Sequence, residues 1–469
     1  MGRSVEAARR ARDPRAVASP SLRPEPDSRP AREPSPPTPS FAEAVRTFAR
    51  IGLESFGGPA GQIAVMHRVL VDEKRWISEE RFLHALGFCT FLPGPEAMQL
   101  CTYVGWLLHR TAGGLAAGLL FVLPGFVSIL ALSFLYALGT DVALVQGLFF
   151  GIKPAVLALV VEALVRIGRR ALRHAVHVAI AVAAFLAIFA LGVPFPWIVL
   201  AAGVVGAAGA RALPAAFGGA PAEASAPRPG ALASSLRALA LWLPLWLAPV
   251  ALLVALRGRG DLYAELAVFF SQTAVVTFGG AYAVLAYVAQ RAVEGYGWLD
   301  AGQMLDGLGL AETTPGPLIQ VVQFVGFLAA WRAPGTLSPA LAALLASVLV
   351  TWVTYAPCFL WIFAGAPYVE RLRASASLRG ALAGILAAVV GVIANLAAWF
   401  GLHVLFREQR EVALGALALE LPRLGSADLA ACAIALAAAV AALRFHVGVG
   451  RLLAGAAAAG IALRLAGAA

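Results

Sequence analysis

Twice in this chain a Pro-Gly-Pro triplet interrupts a long apolar segment: Leu92-Pro93-Gly94-Pro95 and Thr314-Pro315-Gly316-Pro317. A proline removes one backbone donor and clashes with the preceding turn, so two prolines flanking a glycine break a helix. Within a bilayer such a break survives only where protein or a water-filled cavity satisfies the freed backbone groups. Each stretch therefore reads as a discontinuous membrane helix. The half-helix after each break begins with unpaired N–H groups, a ready place for an anion.

The two triplets belong to larger repeats. Phe56-Gly57-Gly58 precedes the first and Phe278-Gly279-Gly280 the second, both at the triplets' own offset of 222 residues. Trp76 and Trp298 keep that spacing, as do Gly87 and Gly309. Beyond the triplets the register slips by one, with Tyr103-Val104-Gly105 matching Phe324-Val325-Gly326 at 221. Motifs and an aromatic held at one spacing imply internal duplication, the mark of many transporter folds.

Composition settles the solvent. The 469 residues are 60% hydrophobic and 13% charged, whereas soluble domains run at about half apolar and about a quarter charged. An integral membrane protein follows. The net charge of +10 gathers at the flanks of apolar spans, as the positive-inside bias demands, so nucleic acid is not expected as a partner. Cys89, Cys101, Cys358 and Cys432 form no C-x-x-C pair and lie in apolar runs, where a free cysteine packs as a small hydrophobe. No metal site and no cofactor are expected. No Walker A stretch or nucleophile–base spacing is present, so the chain is not expected to be an enzyme or a nucleotide-driven pump.

The fold expected is an all-α polytopic membrane protein with two homologous inverted-topology helical repeats and discontinuous helices. Residues 1–40 read as a disordered Arg/Pro-rich cytoplasmic tail. Residues 41–212 form the first repeat, 213–260 a linker with one extra membrane helix, and 261–469 the second repeat. An amphipathic segment at 40–71 either lies at the interface or, as the favoured reading, enters the membrane, and Ser78 and Asp300 cap equivalent helices. Apolar spans are expected near 82–108, 113–138, 142–166, 174–192, 195–212, 232–256, 262–290, 303–331, 336–363, 380–402, 427–443 and 447–466, giving 10 to 13 crossings. An odd linker helix between even-numbered halves would orient them oppositely.

Candidate functional residues cluster at the breaks. Phe56, Gly57, Gly58, Phe278, Gly279 and Gly280 either pack helices closely or expose amides to a ligand. Gln62 and Tyr282, one turn on, supply hydrogen bonds. Beside Pro93, Gly94 and Pro95 stand Gln99 and Thr102; beside Thr314, Pro315, Gly316 and Pro317 stand Gln320 and Gln323. Each pair is spaced i, i+3 and shares a face that should point inward. Lys153 lies in an apolar run. It could balance an anionic substrate, pair with Glu54, Glu96 or Glu312, or snorkel to an interface. Glu54, Glu96 and Glu312 are the candidate proton carriers, with structural hydrogen bonding the alternative.

These residues resemble the chromate ion transporter family in its two-domain form. The resemblance is carried by Phe56-Gly57-Gly58-Pro59, Leu92-Pro93-Gly94-Pro95 with Gln99 and Gly105, Gly151-Ile152-Lys153-Pro154, Phe278-Gly279-Gly280, and Thr314-Pro315-Gly316-Pro317 with Gly326. It covers roughly residues 42 to 466. It implies an inner-membrane antiporter that exports chromate, with protons driving the flux and sulfate competing, and so confers chromate resistance. It allows a homodimer. A sulfate or other oxyanion carrier of the same fold is the alternative. The Arg/Pro tail lies outside the family pattern.

Overall fold

The computed structural model describes residues 38–139, 142–217, 230–278, 280–414 and 417–467. The N-terminal tail up to residue 37, most of the linker at 218–229, and Gly279 lie outside the described residues.

Ser40 opens α1 (Phe41–Glu54) by accepting the Glu43 amide at 3.2 Å. The helix stops at Ser55, and α2 (Gly58–His67) starts at the glycine pair Gly57 and Gly58, which hold φ of +80° and +68°. Such angles cost a β-carbon-bearing residue and suit glycine. A π-helical turn, Arg68–Glu73, extends α2. Ser78 caps α3 (Glu79–Cys89), as its sequence position implies. The first Pro-Gly-Pro follows, then α4 (Glu96–Gly139), bent into two limbs by non-helical His109 and Arg110. The limbs run back against each other: a Cβ on Gly105 would lie 2.4 Å from the Gly113 carbonyl oxygen.

One polar rim gathers the outer ends of these helices. The Phe41 ring meets His109 at 5.5 Å, Lys74 reaches Glu43 at 2.8 Å, Arg50 reaches Glu73 at 2.8 Å, and His67 bonds Glu79. Their inner ends lie at the breaks. So α1, α2, α3 and the first limb of α4 run in and back, each too short to cross alone; the 14 residues of α1 reach about 21 Å.

Then come α5 (Ala143–Ala171), α6 (Ala175–Phe189), α7 (Phe195–Ala212), the turn α8 (Pro214–Phe217) and α9 (Ala231–Arg257). The second half opens with α10 (Leu262–Val276) and α11 (Ala281–Gln290), continued by a second π-helical turn at Arg291–Gly295. Next are α12 (Ala301–Thr313), whose Asp300 cap forms a full capping box with Gln303, and α13 (Val321–Arg332). The chain ends with α14 (Pro339–Gly365), α15 (Val369–Ala374), α16 (Ala376–Leu405), an antiparallel hairpin of β1 (Gln409–Leu414) and β2 (Leu417–Pro422), α17 (Leu429–Phe445) and α18 (Val449–Leu465).

Among the described residues six helices are long and apolar enough to cross a membrane: α4, α5, α7, α9, α14 and α16. On α9, Leu232, Leu236, Leu241, Leu252 and Leu256 are exposed, an apolar surface that only a non-aqueous surrounding stabilises. The chain is an all-α polytopic membrane protein. The segment 262–290, expected as a single span, is two helices: it breaks at Thr277–Gly280 as 41–67 breaks at Ser55–Gly57. Four interruptions stand where the prolines alone marked two.

Helices of the two halves pack through small residues. A Cβ on Gly151 of α5 would sit 1.9 Å from the Ala456 carbonyl oxygen of α18, and one on Gly206 of α7 would sit 2.1 Å from the Gly380 carbonyl oxygen of α16. Backbone contact this close is how apolar helices associate where lipid offers no hydrophobic drive.

Candidate functional site

The four interruptions bind one another across the halves. The Gly316 amide donates to the Ser55 carbonyl at 2.8 Å, and the Gly94 amide donates to the Thr277 carbonyl at 2.7 Å. Ser55 and Thr277 stand 222 residues apart, as do Gly94 and Gly316, so each half makes the same bond to the other. Both glycines are at positive φ, +127° at Gly94 and +96° at Gly316. Ser55 and Thr277 also turn their hydroxyls onto their own last turns, at the Ile51 and Thr273 carbonyls.

The proline-containing middles of α4 and α14 complete the layer. Pro124-Gly125 of α4 borders the second triplet: a Cβ on Gly125 would lie 2.8 Å from the Pro315 carbonyl oxygen. Pro357-Cys358 of α14 borders the first: a Cβ on Gly94 would lie 2.9 Å from the Cys358 Sγ.

The polar side chains near the triplets are buried, and they hold backbone or neighbouring side chains. Gln62 Nε2 donates to the Gly316 carbonyl at 2.6 Å, and Gln99 Nε2 to the Pro93 carbonyl at 2.7 Å. Thr102 bonds the Met98 carbonyl at 2.9 Å, and Thr314 that of Ala311 at 3.2 Å. Gln320 donates to Gln323 and, at 3.2 Å, to the Thr351 hydroxyl; Gln323 donates to the Phe126 carbonyl at 3.1 Å. Among the described residues the Oε1 atoms of Gln99 and Gln320 have no partner, a cost that a buried acceptor rarely carries without a reason. The triplets themselves offer fewer amides than their helix-start position suggests. Pro93, Pro95, Pro315 and Pro317 have none, and the Gly94 and Gly316 amides are taken.

The Phe-Gly-Gly break is the open one. A cavity of about 790 Å³ is lined by Phe56 and Gly57, by Leu132, Leu135 and Tyr136 of α4, by Phe149 and Ile152 of α5, by Glu312 and Thr313, and by Gly448 to Arg451 with Leu453 at the start of α18. Gly57 is the N-cap of α2 and brings no side chain to that helix start, so the first-turn amides, interrupted only by Pro59, remain for water or a ligand. Gly58 opens α2 beside it. Phe278 and Gly280 occupy the equivalent break before α11, with Gly280 at φ +99°.

Glu312 is buried in the cavity wall and accepts the Tyr282 hydroxyl. Glu96 is half-buried in the first turn of α4. Glu54 is the last residue of α1, next to the Ser55 break, and is bound by Arg50 at 2.7 Å and Arg68 at 2.6 Å.

Lys153 pairs with none of these three acids. Its Nζ stands 3.4 Å from Asp306 Oδ2, and Tyr136 donates to the same oxygen at 2.9 Å. Asp306 went unnoticed in the sequence, although an acid in the run Met304-Leu305-Asp306-Gly307-Leu308 carries the same intramembrane signal as Lys153. The two lie in different halves, and only the fold brings them together.

The model of the chromate transporter family matches residues 42–207 and 264–461. The chain is 36% identical over 363 residues to a chromate transport protein of Pseudomonas aeruginosa, covering 76% of this chain and 80% of that protein. It is 28% identical to a chromate transport protein of Cupriavidus metallidurans, over 76% of this chain and 82% of the relative. To a probable chromate transport protein of Synechococcus elongatus it is 27% identical, over 76% and 84%. No solved structure matches the chain. Two matched regions spanning both sets of breaks, with a relative aligned over most of its length, place this chain in the chromate transporter family.

Proposed function

We propose that the protein exports chromate from the cytoplasm across the inner membrane in exchange for protons, with its N-terminal tail in the cytoplasm and its two halves oppositely oriented. Chromate is a tetrahedral dianion, suited to an uncapped helix start in a site shielded from bulk water. The observation that carries the reading is the cavity: it reaches Gly57 at the start of α2 and holds Glu312 in the same wall. Anion and proton carrier would thus share one chamber. The reciprocal bonds between breaks support opposed halves, because two equivalent segments that grip each other identically are related by a twofold operation.

The test uses everted vesicles and radiolabelled chromate. Wild-type vesicles should accumulate the anion when the lumen is made acidic, and excess sulfate should reduce the uptake. Glu312→Gln should keep chromate exchange at zero gradient and lose the response to acid. Uptake indifferent to the gradient in wild type would remove proton coupling. Sulfate uptake that chromate fails to inhibit would favour a carrier of other oxyanions.

A further inference from the structure

Helices α5, α6 and α7 of the first half pack with α16, α17 and α18 of the second into one six-helix unit. Its two seams are copies of each other. Gly147 and Gly151 of α5 meet Gly460 and Ala456 of α18, and Gly380 and Gly384 of α16 meet Gly206 and Ala202 of α7. The paired positions on α5 and α16 stand 233 residues apart, and those on α7 and α18 stand 254 apart. This unit is therefore twofold-related within itself, as the layer of breaks is.

The two twofold-related parts are joined unevenly. Helices α5 and α18 hold α12, and α16 holds α11 and α12. Lys153 reaches Asp306 at 3.4 Å, Ile152 stands where a Cβ on Gly309 would fall, and the Phe195 ring of α7 stacks on Tyr287 of α11 at 5.6 Å. The first-half counterparts of α11 and α12 are α2 and α3. They pack elsewhere: α2 against α1 and α4, and α3 against α4 and α15. Helix α11 is buried from Ala281 to Ala289, whereas α2 buries Gln62 and Met66. On α3, Glu80, His84 and Gly87 take the places of Gly302, Asp306 and Gly309. Glu80 and His84 are exposed, and Leu83 is 53% exposed where its counterpart Leu305 is at 0%. Val449 of α18, the counterpart of Phe195, lines the cavity.

We propose that the exposed face of α3 is a second seat for the six-helix unit of this same chain. There α16 sets Ile385 against Gly87, as α5 sets Ile152 against Gly309 in this structure, and Val449 closes on Val65, as Phe195 closes on Tyr287. This rests on the oxyanion-transport reading above and supplies the movement that opens the site to each side in turn. Two parts that are each twofold-related, but joined off the axis, fit together in a second, equivalent way. In the present seat the cavity reaches Phe56 and Gly57, and Phe195 covers α11. In the second seat the first break is covered and the break before α11 is open. With the halves oppositely oriented, those breaks serve opposite sides of the membrane. The seats differ in strength. Leu386 stands on α16 where Lys153 stands on α5, so the second seat has no ion pair and is the less populated at rest.

The experiment cross-links the full chain in membranes, with its four native cysteines replaced by alanine and a protease site placed in the linker. A short bis-methanethiosulfonate reagent joins two thiols. Cleavage at the linker then separates the halves on a denaturing gel unless a cross-link spans them. Ile152→Cys with Gly309→Cys should join readily. Gly87→Cys with Ile385→Cys should join too, more slowly. Each cross-link should reduce chromate flux to background, and a reducing agent should restore it. Val65→Cys with Val449→Cys is run in parallel and carries the test if the Gly87 variant does not purify. Failure of the second-seat pairs to join, in protein whose introduced thiols label with a small maleimide, overturns the inference. So does undiminished flux after the first pair has joined. A band at twice the chain's mass before cleavage assigns the α3 face to a second copy and overturns it as well. Wild type that moves neither chromate nor sulfate removes the transport reading, and the cross-links still decide whether the second seat exists.

Discussion

The Gly94 amide donates to the carbonyl of Thr277, a residue of the other half, at 2.7 Å, and Gly316 makes the matching bond to Ser55 at 2.8 Å. A helix break in an apolar medium leaves backbone groups that water cannot reach. Here each half satisfies the other's. The bonds tie the two proline-marked breaks to the two glycine-marked ones, and fix all four at one level.

Gly316→Ala tests that layer. The residue holds φ +96°, and an added Cβ would lie 3.1 Å from Gly125 Cα, a backbone atom that cannot step aside. Strain of about 1–3 kcal/mol is expected. Purified protein should melt several degrees lower than wild type by size-exclusion fluorescence after heating, and transport should fall. A variant with wild-type melting and flux would mean that the break tolerates a side chain.

Gln62→Leu removes the donor to the Gly316 carbonyl, a bond of 2.6 Å, in a nearly isosteric way. A buried acceptor left unmet costs about 1–3 kcal/mol. The same melting assay should register the loss, and Gln62→Glu, which cannot donate when ionised, should do no better. Equal stability of all three proteins would show that another donor replaces Gln62.

Much of this was legible in the chain. The prolines demand breaks, and the offset of 222 pairs each with its counterpart; Ser78 and Asp300 cap their helices as their positions require. The breaks at Ser55–Gly57 and Thr277–Gly280 were less visible, because a glycine pair permits a turn without removing a donor, and the segment at 262–290 looks continuous. What each freed amide binds is set by residues more than two hundred positions away. For the same reason Gln99 and Gln320 read as ligand groups, whereas their amides hold backbone or a neighbouring side chain, and Lys153 found Asp306 where nearby acids had suggested themselves. The hairpin at 409–422 lies between two apolar spans and gave no period to follow.

Gly460→Val addresses how the halves pack. A Cβ there would fall 2.3 Å from the Gly147 carbonyl oxygen and 2.4 Å from the Gly151 amide nitrogen, both main chain. Helices α5 and α18 must then separate along their seam. Expression in membranes should drop sharply, with Gly460→Ala intermediate. Wild-type yield of the valine variant would contradict the close approach.

His67 gives the outer rim a pH dependence. It lies between Glu79 and Asp72, and the hydrogen bond to Glu79 raises its pKa above the ordinary 6.5. A raised folded-state value stabilises the protonated form, so the contribution is fully present below 6.5 and fades as pH rises through the folded value. The melting-temperature advantage of wild type over His67→Gln should therefore shrink on moving from mildly acidic to alkaline buffer. An advantage that stays flat or grows with pH would assign the contact to packing.

The exchanged amide bonds have a consequence for how the polypeptide matures. While only residues up to the linker have been made, the Gly94 amide has no Thr277 to meet, and the Ser55 carbonyl waits for Gly316. The early portion must sit in the bilayer with its interruptions open until the later portion arrives. Cut in the linker, the two pieces should each be fragile alone and recover when synthesised together.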